Sequence, residues 1–317
     1  MSSDIRRNFS TGVQRRGDKL FFGSASIAAI FSFFIVVLIL VFLGYRSLGT
    51  FTSQGFHFIS GSVWDASNNI YGIAPMLVGS VFLGLAGLII AVPSSVIMAY
   101  FIEFVAPQRV SRWLTMAIDL LAAIPSILIG FWGLVVFSPV AGGWSEILSQ
   151  HFGALPFFQN STGNFTGSPF IGAWILGVMM IPIITSVSRE VMSRVDKELV
   201  NAAIALGGSS YTTFRRVILP TSKGGVLGGI LIGLGRGLGE TIAILYVLNL
   251  VMEVNLTRPL ENKGGSIASF IAAKFGEATG SEVSALLAAG VVLFVLTLVI
   301  NFISSSIVQR AERKMAS

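Results

Sequence analysis

Long apolar runs separated by short polar connections make up most of this chain. Six of these runs are about 20 residues long or longer, and they lie at 20–44, 75–102, 113–138, 169–190, 222–250 and 284–308. An α-helix needs about 20 apolar residues to cross the hydrocarbon core of a bilayer. Backbone groups in lipid must bond within their own segment, and the apolar–polar alternation of a membrane barrel is missing. The pattern therefore predicts an all-α polytopic membrane protein with six transmembrane helices.

The composition agrees with this prediction and removes other classes of protein. The 317 residues are 53% hydrophobic and 11% charged, whereas a soluble domain carries about a quarter charged residues. Because cysteine is absent, neither a disulfide nor a thiolate metal site can form. The two histidines, His57 and His151, lie in different predicted loops, and no H-E-x-x-H spacing occurs. We therefore expect no metal site and no intramembrane enzyme.

The basic residues are divided unequally between the two sides of the predicted spans. Sixteen of the 21 Lys and Arg residues fall in 1–19, in 103–112, in 189–223 or after residue 308, and four fall in the opposite loops. Cytoplasmic loops carry an excess of Lys and Arg, so both termini are predicted to be cytoplasmic. The net charge of +6 follows from this topology, which leaves nucleic-acid binding without support.

We divide the chain into four predicted parts. Residues 1–19 form a cytoplasmic N-terminal segment, 20–60 hold the first transmembrane helix and the start of an outer loop, 61–310 form the core and 311–317 a cytoplasmic tail. Two outer loops, at 45–74 and 139–168, are long. In a third, at 251–283, apolar residues from Ile267 onward follow helical spacing, which predicts a short interfacial helix.

The fifth predicted span contains GLGRGLGETIAIL, residues 233–245, with an arginine and a glutamate in an apolar setting. Arg236 and Glu240 are four residues apart, so a continuous helix would place them on one face. Ionisable residues within a membrane usually face a cavity and mark a pathway. The pair is therefore predicted either to belong to a substrate pathway or its gate, or to neutralise itself and brace the helix bundle.

Other residues of this span and its neighbours complete the candidate sites. Four glycines recur at every fourth position, which lets a neighbouring helix approach closely, and they are Gly225, Gly229, Gly233 and Gly237. Thr241 and Ser126 are polar candidates for the pathway or gate. Asp119, within the third predicted span, is a further candidate, or else it caps a helix or reaches the interface.

The basic connection at 191–223 is the longest on its side of the membrane. A helix is predicted from Glu198 to Leu206, a break at Gly207-Gly208 and a second helix from Tyr211 to Ile218. A helix–glycine–helix element would be rigid enough to dock on a partner. The alternative is an ordinary basic loop that only fixes the topology.

Within this connection, residues 201–220 read NAAIALGGSSYTTFRRVILP and resemble the EAA loop of ABC-importer permeases. The residues at matching spacings are Ala202, Ala203, Gly207, Leu219 and Pro220, whereas Asn201 stands where the family has glutamate. The resemblance implies that this loop inserts into a cytoplasmic ATPase subunit. The chain has no P-loop, and GLGRGLG is no dinucleotide fingerprint because Leu238 takes the place of the third glycine. We therefore expect no nucleotide site and no enzymatic activity on this chain.

Four further segments, 64–81, 116–134, 179–191 and 233–244, are similar to the C-type permease subunits of phosphate-specific ABC importers. The resemblance implies a MetI-like fold in a prokaryotic inner membrane. It also implies a second homologous permease subunit, an ATPase dimer that carries ATP and Mg, an extracytoplasmic phosphate-binding protein, and phosphate as substrate. A permease for sulfate or molybdate, or a secondary anion transporter, remains an alternative.

Overall fold

The computed structural model describes residues 16–316. Arg6, Arg7 and Arg15 of the predicted N-terminal segment lie outside the described residues. Six helical segments are long and apolar enough to cross a membrane, and they are Leu20–Gln54, Ala74–Val105, Ser126–Phe152, Pro169–Ser193, Ser210–Leu238 and Ser281–Ile303. The prediction of six transmembrane helices is confirmed.

The elements follow one another as helices, with one small hairpin. They are α1 (Arg16–Gln54), α2 (His57–Ser60), β1 (Trp64–Asp65), β2 (Ile70–Tyr71), α3 (Ala74–Tyr100), α4 (Gln108–Ala123), α5 (Ser126–Trp132), α6 (Ser138–Phe152), α7 (Pro169–Ser193), α8 (Lys197–Ala205), α9 (Ser210–Thr213), α10 (Leu219–Leu238), α11 (Ile242–Val247), α12 (Ile267–Phe275) and α13 (Ser281–Ala316). Single π-helical turns continue α3 through Val105, join α5 to α6 and join α9 to α10. The two strands pair antiparallel.

Helix α7 lies at the centre of the bundle and is the most buried of the six spans. It packs against α3 on one side and α10 on the other. The α3–α7 crossing is close because glycine stands on both helices: an ideal Cβ at Gly87 would lie 3.2 Å from Leu176 Cβ, and one at Gly177 would lie 3.1 Å from Ile90 Cβ. In lipid no hydrophobic driving force brings helices together, so their association depends on the close packing that small residues permit. Helix α1 packs on α13 and leaves most of its apolar side chains exposed.

The ends of the spans fall on two faces. On one, which we call the basic face, the Tyr100 hydroxyl donates to the Ser210 carbonyl at 3.1 Å, and Arg189 Nη1 donates to Thr115 Oγ1 at 2.9 Å. On the other, which we call the loop face, Gln54 Nε2 donates to the Asn69 carbonyl at 2.7 Å. On the basic face these bonds join non-adjacent helices, and on the loop face the bond ties the end of α1 to the turn of the hairpin.

The third predicted span, 113–138, is wrong in its boundaries. Helix α4 ends at Ala123, Ile124 is extended (φ −64°, ψ 127°), and the membrane helix begins only after Pro125. A residue before proline avoids the α region, which separates the two helices. Helix α4 is amphipathic, with Trp113, Met116 and Leu120 exposed. The sequence prediction therefore merged the apolar residues of α4 with the membrane helix that follows Pro125. The span then continues to Phe152, and the outer loop predicted from 139 is correspondingly shorter.

The fifth predicted span, 222–250, begins earlier and ends earlier than expected. The helix runs from Ser210 to Leu238 and breaks before α11. Glycine is among the weakest helix formers, and Gly237 and Gly239 flank the break. The predicted helix at 251–283 does form as α12, but Ile267 and Phe270 are buried in a core cluster with Phe58 and Met76. Its apolar face therefore packs on the protein, and its interfacial position stays a prediction.

Candidate functional site

The break after α10 places Glu240 in a buried position between helices. Its carboxylate is 8% exposed, and Oε1 accepts a hydrogen bond from the backbone N–H of Ala243 at 3.3 Å. Helix α11 is held against α5, because an ideal Cβ at Gly130 would lie 2.6 Å from Ala243 Cα. Thr241 Oγ1 donates to the Gly239 carbonyl at 3.1 Å within the same break. Side-chain and backbone groups freed by the broken helix thus bond to one another.

Arg236 lies in the last turn of α10 and is exposed. Among the side chains that the structure describes, none hydrogen-bonds to its guanidinium, and Glu240 is not within ion-pair distance. The predicted pairing of these two residues on one helical face is therefore wrong in this conformation. The physical reason is that α10 ends at Leu238, between them, so the four-residue helical relationship is lost.

The other pathway candidates lie around the same region but are not all brought together. Ser126 begins α5 directly after Pro125 and is half-buried. A very small cavity beside Arg236 is lined by residues of the α4–α5 junction, including Ile124 and Ile129. Asp119 does not line this cavity and is exposed on α4. Because α4 is not one of the six spans, its placement within a span is wrong, and its role in the pathway or gate stays a prediction.

The glycines of α10 face α7 along its length. An ideal Cβ at Gly229 would lie 3.0 Å from Val187 Cβ, and one at Gly233 would lie 2.6 Å from Ile184 Cγ1. Gly225 meets Val191 and Gly237 meets Met180 in the same way. The four positions therefore form one contact stripe, and larger side chains there would push the two helices apart.

The helix–glycine–helix element predicted at 198–218 is present as α8 and α9. Asp196 caps α8 by accepting from the Glu198 N–H at 2.9 Å, as carboxylates do at helix N-termini. Gly207 has φ +83°, a left-handed conformation that glycine adopts without strain. The Gly208 N–H then donates to the Ala203 carbonyl at 3.0 Å. These local bonds fix the angle at which the element leaves the bundle.

Helix α8 protrudes from the basic face and buries none of its residues. Leu199 and Ile204 are 50% and 56% exposed, and Leu206, directly after the helix, is 90% exposed. Asn201 and Ala202 are exposed too, while Ala203 is half-buried. Leu219 and Pro220 lie apart from them, half-buried at the start of α10. Four of the six residues predicted to couple to a partner therefore lie on α8 or in the turn after it, and Leu219 and Pro220 lie apart from them at the start of α10.

A polar cluster on the loop face escaped the sequence analysis. Glu261 is 3% exposed; its Oε1 accepts from Ser161 Oγ at 2.6 Å and from Arg258 Nη1 at 3.2 Å. Lys263 Nζ lies 3.8 Å from the second Glu261 oxygen and 2.9 Å from Glu253. Nothing in the local sequence signals this cluster, because Ser161 and Glu261 are 100 residues apart in the chain.

Comparisons with known proteins add to this geometry. Residues 91–317 match the family described as "Binding-protein-dependent transport system inner membrane component". A relative from Pasteurella multocida, named "Phosphate transport system permease protein PstC", is 38% identical over 301 residues, which cover 93% of this chain and 92% of the relative. A relative of the same name from Xylella fastidiosa is 39% identical over 267 residues, or 82% of this chain and 81% of the relative.

Solved structures share the fold at low sequence identity. A bacterial alginate ABC transporter, in complex with an alginate-bound periplasmic protein, has a chain that aligns with a TM-score of 0.62 at 15% identity, covering 97% of this chain and 96% of that one. The MetNI methionine ABC transporter, in an inward-facing conformation, aligns with a TM-score of 0.52 at 18% identity, covering 76% and 94%. This multi-pass membrane chain therefore belongs to the family of binding-protein-dependent transport system inner membrane components and has their MetI-like fold.

Proposed function

We propose that this chain is the transmembrane permease subunit of an ATP-driven phosphate importer. The observation that carries the proposal is the identity of 38% with a phosphate transport permease over nearly the full length of both chains. The family match over residues 91–317 also includes helix α8 and the break after α10. The chain forms half of the translocation pathway, and a second homologous permease subunit forms the other half.

Helix α8 couples the chain to a cytoplasmic ATPase dimer, which binds ATP and Mg. The support is that Leu199, Ile204 and Leu206 hold apolar surface in water on a rigid, capped helix. Exposed apolar patches with a polar rim mark protein–protein contacts. Asn201 offers an amide where the EAA loop has a carboxylate, so this contact does not depend on a charge at that position.

The basic face is the cytoplasmic one, and both termini are cytoplasmic. The support is the excess of Lys and Arg in the connections on this side. The loop face is then extracytoplasmic and receives a phosphate-binding protein. With this orientation α8 reaches the compartment that holds ATP.

Arg236 contributes to the substrate pathway or its gate. Its guanidinium is exposed near the break and has no described side-chain partner, and a guanidinium can bind two phosphate oxygens at once. Glu240 and Thr241 bond to backbone groups at the break in this conformation, Ser126 begins α5, and all three belong to the same pathway or gate. In another state of the cycle, closure of the break would let Glu240 compete for Arg236 and release the anion.

The test is co-purification followed by ATPase measurement. The tagged chain should bring down an ATPase and a second permease, and a phosphate-loaded binding protein should stimulate ATP hydrolysis in liposomes. Stimulation by a sulfate- or molybdate-binding protein instead would assign another oxyanion. Uptake by the chain alone, driven by an ion gradient and without any ATPase, would replace the importer by a secondary transporter.

A further inference from the structure

We propose that a groove between α3 and α10 binds one anionic phospholipid. The groove has a volume of about 630 Å³ and opens on the surface of the bundle. Val92, Val96 and Ile97 of α3 form one wall. Leu219, Leu227 and Ile230 of α10 form the other. Its walls are therefore built from aliphatic side chains of two membrane helices.

Two cations line this groove: Arg215 at the end nearer the basic face and Lys223 about two helical turns further along. Arg215 and Lys223 are the only ionisable residues among those that line it, and neither forms an ion pair with a described acidic side chain. Arg215 is exposed, and its Nη1 donates to the Tyr211 hydroxyl at 3.3 Å. Lys223 is half-exposed between Leu219 and Leu227 on the α10 wall. A long lysine side chain extends its charge toward the interface, so an anion at the Arg215 end would meet positive charge from both residues and no negative charge among the residues that line the groove.

The groove has the length and position of one lipid chain. Helix α10 rises about 16 Å between Leu219 and Ile230. That rise matches the hydrocarbon thickness of one leaflet, about half of 30 Å. On α3, the wall from Val92 to Ile97 lies just before Tyr100, whose hydroxyl bonds to Ser210 on the basic face. The Arg215 end of the groove thus lies toward the basic face, and its aliphatic walls run from there along α3 and α10 into the bilayer.

This combination identifies the ligand by its chemistry. Basic pockets between membrane helices on the cytoplasmic side bind anionic lipid head groups. A free phosphate ion would satisfy the two cations but would leave the aliphatic walls uncovered. A zwitterionic lipid would bring its ammonium group close to Arg215 and Lys223. The repulsion between these positive charges would offset part of the attraction between the lipid phosphate and the two side chains. The assignment of the lipid to the cytoplasmic leaflet rests on the orientation given under Proposed function. The groove and its two charges are independent of that orientation.

The experiment measures lipid retention by the full-length chain together with the subunits that co-purify with it. The complex is given equal amounts of phosphatidylglycerol and phosphatidylethanolamine in detergent, and bound lipid is counted by native mass spectrometry. We expect preferential retention of phosphatidylglycerol, and we expect R215Q/K223Q to weaken that retention about thirtyfold. Ile97→Trp, which fills the groove but keeps both charges, should weaken it as well.

The matched control is R194Q/K197Q, which removes one arginine and one lysine from the same face outside the groove. It should retain phosphatidylglycerol as the unchanged protein does, and size-exclusion profiles should show that all variants fold. The proposal is overturned if both lipids are retained equally, or if R215Q/K223Q and R194Q/K197Q behave alike. It is also overturned if millimolar inorganic phosphate displaces the lipid, or if cross-links from Ile97→Cys show that the second permease subunit fills the groove.

Discussion

Glu240 is buried while Arg236, four residues before it, is exposed, because α10 ends between them at Leu238. The carboxylate bonds to the backbone of Ala243, and the guanidinium has no described side-chain partner. The two charges thus have separate environments in this conformation. Substitutions at the two positions should therefore have different effects on folding and on transport.

Arg236→Gln should reduce phosphate uptake at least about tenfold, since a hydrogen bond to a charged group contributes about 1.5–3 kcal/mol. Folding should be unaffected, because the guanidinium makes no described side-chain contact that the substitution would remove. Uptake of radiolabelled phosphate in cells that lack other phosphate transporters measures the first effect, and co-purification of the ATPase measures the second. Arg236→Lys is the control: it keeps the positive charge but cannot donate to two phosphate oxygens at once, so it should retain part of the uptake. Normal uptake by Arg236→Gln would contradict a role in the pathway.

Gly233→Val should destabilise the protein by about 1–3 kcal/mol, the usual cost of overpacking. The added Cβ would meet Ile184 at 2.6 Å, so α10 and α7 would have to separate. Gly228→Val is a matched control on the same helix, because an ideal Cβ there meets no described atom within 4 Å. Thermal unfolding in detergent should show a lower midpoint for Gly233→Val alone. Equal midpoints for the two variants would mean that the glycine stripe does not set the helix spacing.

Local signals in the sequence were enough to predict the spans and the shape of the basic connection. Apolar length identifies a membrane helix without reference to its neighbours, and Asp196 and Gly207 mark the start and end of α8 through bonds within a few residues. The α4–α5 boundary was missed because an apolar count cannot separate an amphipathic helix from a span. Only Pro125 marks that boundary in the sequence.

The details of the candidate sites depend on contacts between distant residues, which the sequence pattern does not contain. The end of α10 is fixed partly by the packing of Ala243 against Gly130 on another helix. Because the helix ends there, the side chains of Arg236 and Glu240 lie apart. The cluster around Glu261 depends on Ser161 in a different loop. Charge spacing along one helix predicted neither arrangement.

The double substitution L199S/I204S should lower the amount of ATPase that co-purifies with the chain by about tenfold or more. The reason is that each aliphatic side chain buried in a contact contributes about 1.5–3 kcal/mol. Neither residue is buried in the chain itself, so the thermal midpoint should not change. Leu155→Ser is the matched control, because this leucine is similarly exposed, at 55%, but lies on the loop face. It should leave co-purification intact. If L199S/I204S still recovers the ATPase in full, α8 is not the coupling element.

The Glu261 cluster should make the loop face sensitive to acid. Burial alone would raise the pKa of Glu261, but hydrogen bonds from Ser161 and Arg258 and the charge of Lys263 outweigh it and hold that pKa below its ordinary value of 4.5. A carboxyl whose pKa is lower in the folded state contributes stability that is fully present above the unfolded pKa. That contribution is lost as the pH falls below about 4.5 and through the lowered folded value.

Glu261→Gln should therefore speed amide hydrogen exchange at 160–164 and 258–264 near neutral pH, with a loss of about 1.5–3 kcal/mol for the charged hydrogen bonds. The difference from the unchanged protein should shrink as the pH falls below 4.5, because the glutamate itself becomes protonated. Glu146→Gln is the control: among the described residues, this exposed glutamate on α6 accepts from Gln150 alone, one turn away, so its loss should not alter exchange in these segments. A Glu261→Gln difference that stays constant across the acid range would show that the side chain acts through its shape and not through its charge.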